Sequence, residues 1–165
     1  KMPKKELAHI AEQYLTLVNL GHAIKKYPGQ MSGGMKQRAA IARALSFGSD
    51  LLLMDEPFGA LDPVTRIKLQ DLIVQISAEQ KRTVVFVTHD VDEAIYLADR
   101  IIIFAPGKNG AVTKSIEVPV QKKGTNRQKL FEDPQFRAFR ESLLNEMNEQ
   151  IVNSLKTEIT DGAGI

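Results

Sequence analysis

Met31-Ser32-Gly33-Gly34-Met35-Lys36-Gln37-Arg38 opens a stretch that runs through Leu51-Leu52-Leu53-Met54-Asp55-Glu56-Pro57 to Gly59-Ala60-Leu61-Asp62. The Ser-Gly-Gly turn predicts the start of a helix over roughly residues 33–47, with Ser32 as its N-cap and Ala39, Ala42 and Leu45 on its apolar side. Gly48-Ser49-Asp50 ends that helix. Leu51 to Met54 is a short, wholly apolar run, the pattern of a parallel strand covered on both faces. It ends on two adjacent carboxylates, Asp55 and Glu56, and a tight loop then leads to a third at Asp62.

On either side the same alternation continues. Upstream, Leu7, Ile10, Ala11, Tyr14, Leu15 and Val18 recur at helical spacing and predict an amphipathic first helix. Asn19 to Gln30 is a connector broken by Gly21, Pro28 and Gly29. Downstream, Leu69, Leu72, Ile73 and Ile76 mark a helix ending near Lys81-Arg82. Thr83 to Val87 is a second buried strand, which delivers His89. Val91 to Ala98 reads as a short helix, Ile101 to Phe104 as a third strand, Pro106 to Gly110 as a turn and Ala111 to Val118 as a more polar strand. Gln121 to Arg127 is basic and polar, a solvated linker in preference to a lipid-headgroup contact. Beyond Pro134, the residues Phe136, Phe139, Leu143, Leu144, Met147 and Ile151 form one helical stripe, and Thr160 to Ile165 are expected to fray. The alternation predicts an α/β fold with a mainly parallel sheet.

Composition sets the outer bounds. The chain has 165 residues, 43% of them hydrophobic, enough for one domain or a large part of one. Its 22 basic and 20 acidic residues nearly balance, so bulk charge offers nothing to a nucleic-acid partner, and none is expected. With no cysteine there is neither disulfide nor thiolate metal site, as suits the cytosol. No apolar run approaches the ~20 residues needed to span a bilayer.

The chemistry follows from the motifs. Two glycines at a helix start let a backbone approach an anion closely, and the helix N-terminus offers unpaired N–H groups and a positive dipole end. Ser32-Gly33-Gly34, with Met35 behind it, is therefore a phosphate-binding terminus. Ligands of open α/β sheets collect at the carboxyl ends of strands. There Asp55 suits the hydration shell of Mg²⁺, and Glu56 can polarise an attacking water. His89 follows the next strand and is expected to reach the same phosphate, whereas His9 and His22 lack such a context and are read as surface residues. No Gly-x-x-x-x-Gly-Lys-Ser/Thr occurs anywhere in the sequence, so the loop that cradles phosphates in many ATPases is not among these residues. Gly107-Lys108 sits in a hairpin turn and is no substitute.

In this order and spacing the motifs resemble the ATP-binding subunits of ABC transporters. Met31 to Met35 resembles the family signature, with Met31 where Leu is usual and Met35 where Gln is usual. Leu51 to Glu56 is similar to the Walker B strand with its catalytic glutamate, Gly59 to Asp62 to the D-loop, and His89 to the switch histidine. Met-Ser-Gly-Gly-Met-Lys-Gln-Arg and the tail Asp133 to Arg140 resemble the nitrate, sulfonate and taurine importers, although osmoprotectant importers share the Gly-Gly-Met ending. For the tail, an amphipathic helix covering the sheet edge is preferred over a ligand sensor.

The resemblance implies a P-loop NTPase-like ABC ATPase domain, incomplete here. Residues 1–120 would be its C-terminal portion, divided into a helical signature subdomain (1–47) and a Walker B to switch-histidine core (48–120), followed by a linker and helix (121–165). It implies ATP and Mg²⁺ as cofactors, the latter held by Asp55 through water, and Glu56 and His89 as catalytic residues. Ser32, Gly33, Gly34 and Met35 would act in trans on ATP held by a second ATPase subunit, in a head-to-tail dimer with Asp62 in the D-loop. Further implied partners are transmembrane permease subunits and the N-terminal half of its own domain, at the cytoplasmic face of the membrane. The Lys1-Met2-Pro3 start is expected to be a cut inside a longer polypeptide. The implied phosphate-loop strand would lie between the Thr83–Val87 and Ile101–Phe104 strands, so both are expected to lack a neighbour. Two other readings remain open at this point: a non-catalytic module acting through its signature face, and a soluble ATPase of the DNA-repair type.

Overall fold

The computed structural model describes residues 3–107, 110–119 and 127–162. Twelve elements follow one another among them, and the chain packs as two compact units, Lys1–Val87 and Thr88–Ile165.

In the first unit α1 (Lys4–Leu17) is followed by two short 3₁₀ turns, Gly21–Ala23 and Pro28–Gln30, and then α2 (Gly33–Ser46). α1 stops just ahead of the predicted connector, and Asn19 closes it. Asn19 takes φ 57°, its N–H donates to the Thr16 carbonyl, and the Leu20 N–H reaches back to Leu15 at 2.7 Å. This is the left-handed closure that satisfies the last carbonyls of a helix, and Asn tolerates that conformation better than most residues. No residue of α1 is buried; its stripe is only partly covered, and the tight core begins just after it at Val18 and Leu20. Arg38 of α2 donates to the Val18 and Asn19 carbonyls at 3.2 and 3.1 Å and ties this connector to α2. At the far end of α2, Gly48 adopts φ 66°, a turn that a side chain would strain.

β1 (Leu51–Asp55) and β2 (Thr83–Val87) pair in parallel, with Leu51 opposite Thr83 and Asp55 opposite Val87. Between them α3 (Pro63–Gln80) starts on Asp62, with Pro63 in its first turn, and ends at Lys81 in the left-handed conformation. Leu69, Ile73 and Ile76 are buried along it, as their spacing predicts. The expectation that β1 is covered on both faces is corrected. Leu52 and Met54 are buried, but Leu51 is 56% and Leu53 70% exposed, and Val85 and Val87 of β2 are nearly half exposed. Alternate residues of a strand point to opposite faces, and one face of this pair has no covering layer among the described residues.

The second unit holds α4 (Val91–Leu97) and an antiparallel hairpin of β3 (Arg100–Gly107) and β4 (Gly110–Glu117), in which Arg100 faces Glu117. α5 (Arg127–Glu132), a short helix that the composition of that segment hides, is followed by α6 (Pro134–Gly162). The linker predicted at Gln121 to Arg127 lies outside the described residues except for Arg127, which opens α5. Lys108 and Asn109 of the predicted turn and Ala163 to Ile165 of the tail also lie outside them, while Thr160 to Gly162 continue the helix instead of fraying. Phe136 and Leu143 of the predicted stripe are buried, and α6 packs on β3, α4 and α5. Phe131 stacks between Tyr96 and Phe136 with ring centroids 6.2 and 4.7 Å away, and the Arg127 guanidinium lies 4.0 Å over the Tyr96 ring.

Each sheet thus has two strands: β2 pairs with β1 and β3 with β4, with no further strand beside either among the described residues. Two-stranded sheets with an open apolar face are marginal in water and template further pairing. Replacing Leu53 by Ser in the 165-residue chain should therefore raise the fraction recovered as monomer by size-exclusion chromatography. An unchanged aggregate peak would show that the exposed β1 face is not what drives association.

Candidate functional site

The first unit gathers most of the predicted site around the start of α2 and the carboxyl end of β1. Ser32 has extended backbone and its Oγ accepts from the Met35 N–H at 3.3 Å, so the predicted N-cap forms. The leading N–H groups of α2 have no partner within the helix. The two glycines have different surroundings. A Cβ on Gly33 would meet nothing within 4 Å, whereas one on Gly34 would lie 3.2 Å from the Ala60 carbonyl oxygen and 3.5 Å from Leu61. Gly33 is open to an approaching group; Gly34 is small because α2 packs on the Gly59–Leu61 loop of its own chain.

Asp55 and Glu56 are both exposed at the end of β1. The Glu56 N–H donates to the Val87 carbonyl at 2.9 Å, one step beyond the last strand pair, and there the chain turns sharply. Glu56 takes φ 41°. For a residue with a side chain this left-handed conformation costs on the order of 1–2 kcal/mol, and such strain concentrates at functional positions. Its carbonyl accepts from the Gly59 N–H at 3.3 Å and from Gln37 Nε2 at 2.9 Å. Gln37 Oε1 in turn accepts from the Ala60 N–H at 2.9 Å. Phe58 anchors the loop from beneath: it is 2% exposed and packs on Phe86 of β2 with ring centroids 5.3 Å apart. Full burial of a Phe is worth about 1.5–3 kcal/mol. Gln37 belongs to the motif that decides the fold, yet its side chain was assigned no role from sequence. The available signal was its place one turn past Gly33, on the same helix face.

Asp62 ends the loop and caps α3 by accepting from the Thr65 N–H at 3.0 Å. Hydrogen bonds from the Thr65 hydroxyl and then its backbone hold the Asp62 carboxyl below its ordinary 3.8. No group of three or more His, Cys, Asp or Glu suited to a metal occurs among the described residues. Mg²⁺, however, keeps most of its waters and takes its other ligands from phosphate, so one or two carboxylates at a strand end fit it.

His89 lies in the second unit, exposed, just before α4. Its surroundings are firmly built. Thr88 Oγ1 donates to the buried Glu93 carboxylate at 2.6 Å, and the Asp90 carboxylate caps α4 through the N–H groups of Asp92 and Glu93 at 2.9 and 3.1 Å. Asp92 also accepts from Arg140 of α6 at 2.5 Å. His9 and His22 are not buried, and His9 contacts only the side chain of Gln13 among the hydrogen bonds described for it.

A family model described as ABC transporter matches residues 3–59, which include the capped glycine turn and the β1 carboxylates. The chain belongs to this family. It is 46% identical over 143 residues to the bicarbonate transport ATP-binding protein CmpC of Synechocystis sp., covering 86% of this chain and 21% of that protein. It is 42% identical over 149 residues to the nitrate transport protein NasD of Klebsiella oxytoca, covering 90% of this chain and 56% of that one. A dimeric post-hydrolysis structure of the ATP-binding cassette MJ0796 bound to ADP and Pi superposes with a TM-score of 0.65 at 34% identity, over 73% of this chain and 51% of the other. The chain therefore spans 21% of the first of these proteins and 56% and 51% of the other two. The ABC cassette fold expected from the motif order is the fold found, in the part that these residues span.

Two measurements check this local geometry. Gly34→Ala should lower the melting temperature of the purified protein, because backbone, not a flexible side chain, blocks the new methyl; overpacking of this kind costs about 1–3 kcal/mol. Gly33→Ala should leave it unchanged or slightly raised, and equal effects at both positions would contradict the division of roles. For Asp62 the folded carboxyl titrates below its unfolded value, so its contribution is complete above the ordinary range and is lost as pH falls through the lower folded value. Stability curves of wild type and Asp62→Asn should therefore differ near neutrality and converge in acid.

Proposed function

We propose that this ABC-family chain is the signature-to-switch portion of an ATP-hydrolysing subunit that powers import of a small solute such as nitrate, sulfonate or taurine. The observation that carries the proposal is the Ser32-capped helix start with Gly33 open, joined through Gln37 to the pinned Glu56 turn. The nitrate and bicarbonate transport proteins among its relatives support the solute class. The dimeric cassette bound to ADP and Pi supports nucleotide as the ligand and a second ATPase subunit as partner.

In this reading the phosphate loop comes from sequence outside these 165 residues, in the N-terminal half of the domain. That half would also pair with the open edges of β2 and β3 and cover the exposed apolar face of β1 and β2. The N-terminus of α2, with Ser32, Gly33, Gly34 and Met35, faces the γ-phosphate of ATP bound by a second, head-to-tail subunit. Open space at Gly33 lets the backbone N–H groups approach that anion. Asp55 would hold Mg²⁺ through water, and the ion would neutralise charge on the phosphate oxygens. Glu56 accepts a proton from the attacking water as general base; its backbone is held in place while its carboxylate sits at the exposed strand end. His89 is assigned to the same phosphate by its place after β2, and Asp62 to the loop that meets the partner subunit. Closure of the dimer on ATP and its reopening after hydrolysis would drive transmembrane permease subunits from the cytoplasmic face of the membrane. None of the described helices is itself long and apolar enough to cross a bilayer. No nucleic-acid partner enters this scheme.

The isolated chain should show no phosphate release above background. In the complete subunit, Glu56→Gln should slow hydrolysis by about 10²–10⁴-fold while nucleotide still binds, the usual contribution of a positioned base. In that slowed background ATP should drive dimerisation, and adding Gly33→Glu, a bulky charge at a position with room for it, should abolish the dimer peak in size-exclusion chromatography. Near-normal turnover by Glu56→Gln would refute the base, and equal dimerisation with Gly33→Glu would refute the trans contact.

A further inference from the structure

The Gln37 side chain bridges the two parts of the candidate site. Its amide spans from α2 to both ends of the Glu56–Ala60 turn, donating to the Glu56 carbonyl and accepting from the Ala60 N–H, each at 2.9 Å. Only one orientation of the amide serves both partners, since a carbonyl can only accept and an N–H can only donate. The turn it spans is strained: Glu56 sits at φ 41°, a conformation that persists only where the surroundings over-determine it. Three described contacts hold its backbone. One comes from β2 through Val87, one from Gly59 within the turn, and the third from α2 through Gln37. Gly34, packed against Ala60 and Leu61, makes the same junction stiff by bringing the backbones of helix and loop close together.

We infer that Gln37 is a positioning residue that couples the signature helix to the general base of its own chain. When the Ser32 turn engages a phosphate on the partner subunit, a shift of α2 is passed through the Gln37 amide to the Glu56 turn. The nucleotide sensed in one composite site thereby sets the aim of Glu56 in the other. Gln37 touches neither nucleotide nor water in this scheme, so it governs hydrolysis and the cooperativity between sites, not nucleotide binding. The inference rests on the proposed roles of Glu56 and of the Ser32 turn.

The test uses the complete ATPase subunit in three variants. Gln37→Met keeps the length and removes both hydrogen bonds; Gln37→Glu keeps the acceptor for Ala60 and loses the donor to Glu56; Glu56→Gln is the reference. Nucleotide affinity, single-turnover hydrolysis, the Hill coefficient for ATP and thermal unfolding are measured for each. A small misplacement of a reacting group costs up to about 100-fold in rate, so Gln37→Met is expected to hydrolyse about 10- to 100-fold more slowly. Its nucleotide affinity should stay within about twofold of wild type and its Hill coefficient should fall toward 1, the sign of lost coupling. Gln37→Glu should lie at or below Gln37→Met, because it sets a carboxylate oxygen against the Glu56 carbonyl. It carries the same comparison if Gln37→Met does not fold. Wild-type rate and cooperativity in a folded Gln37 variant, with Glu56→Gln slow, would overturn the inference and leave the function intact. A drop in melting temperature with unchanged rate and cooperativity well below it would reduce Gln37 to a structural contact. Normal turnover by Glu56→Gln would overturn the reading beneath and the inference with it.

Discussion

A backbone hydrogen bond from the Glu56 N–H to the Val87 carbonyl fixes where β1 stops and its loop begins. Without it the register of the parallel pair would still place Asp55 beside Val87, but nothing would force the chain to turn at the next residue. With it, Glu56 is held in a left-handed conformation that its side chain disfavours, and the turn runs back beneath α2. The other contacts follow from that geometry: Phe58 drops onto Phe86, Gly59 closes on the Glu56 carbonyl, and Ala60 comes within reach of Gln37. Asp62 then caps α3.

The same constraint explains why two adjacent glycines are not equivalent. Both lie at the start of α2, where a glycine is inexpensive because the helix has barely begun. Gly34 is claimed by the chain's own loop, and Gly33 is left for something outside it. A helix terminus that binds an anion needs both properties at once. It must be seated firmly enough for its N–H groups to hold their direction, and bare enough on its outer side for the anion to approach.

The exposed side of β1 and β2 shows how a sheet depends on neighbours. Leu51 and Leu53 have the composition of a strand buried on both faces, and in this chain one of those faces is open. Their apolar side chains are left without a covering layer among the described residues. In the second unit Phe136 and Leu143 of α6 find their cover within the described residues, whereas Ile102 and Phe104 of β3 remain 53% and 69% exposed.

Much of this was legible in the order of residues. Ser32 as a cap, Gly48 as a stop and the strands Leu51–Asp55 and Thr83–Val87 were readable because each depends on chemistry within a few positions along the chain. The order and spacing of the glycine turn, the paired carboxylates and the histidine were enough to point to the family. Short-range reasoning failed at Arg127, whose basic neighbours masked a helix start. The bond from Gln37 to Glu56 spans 19 residues of sequence and that to Ala60 spans 23. The exposure of Leu53 and the crowding of Gly34 likewise depend on segments far away along the chain. No periodicity or capping preference encodes such pairs, because what brings them together is the packing of a helix against a strand end, and that distance exists only once the chain has folded.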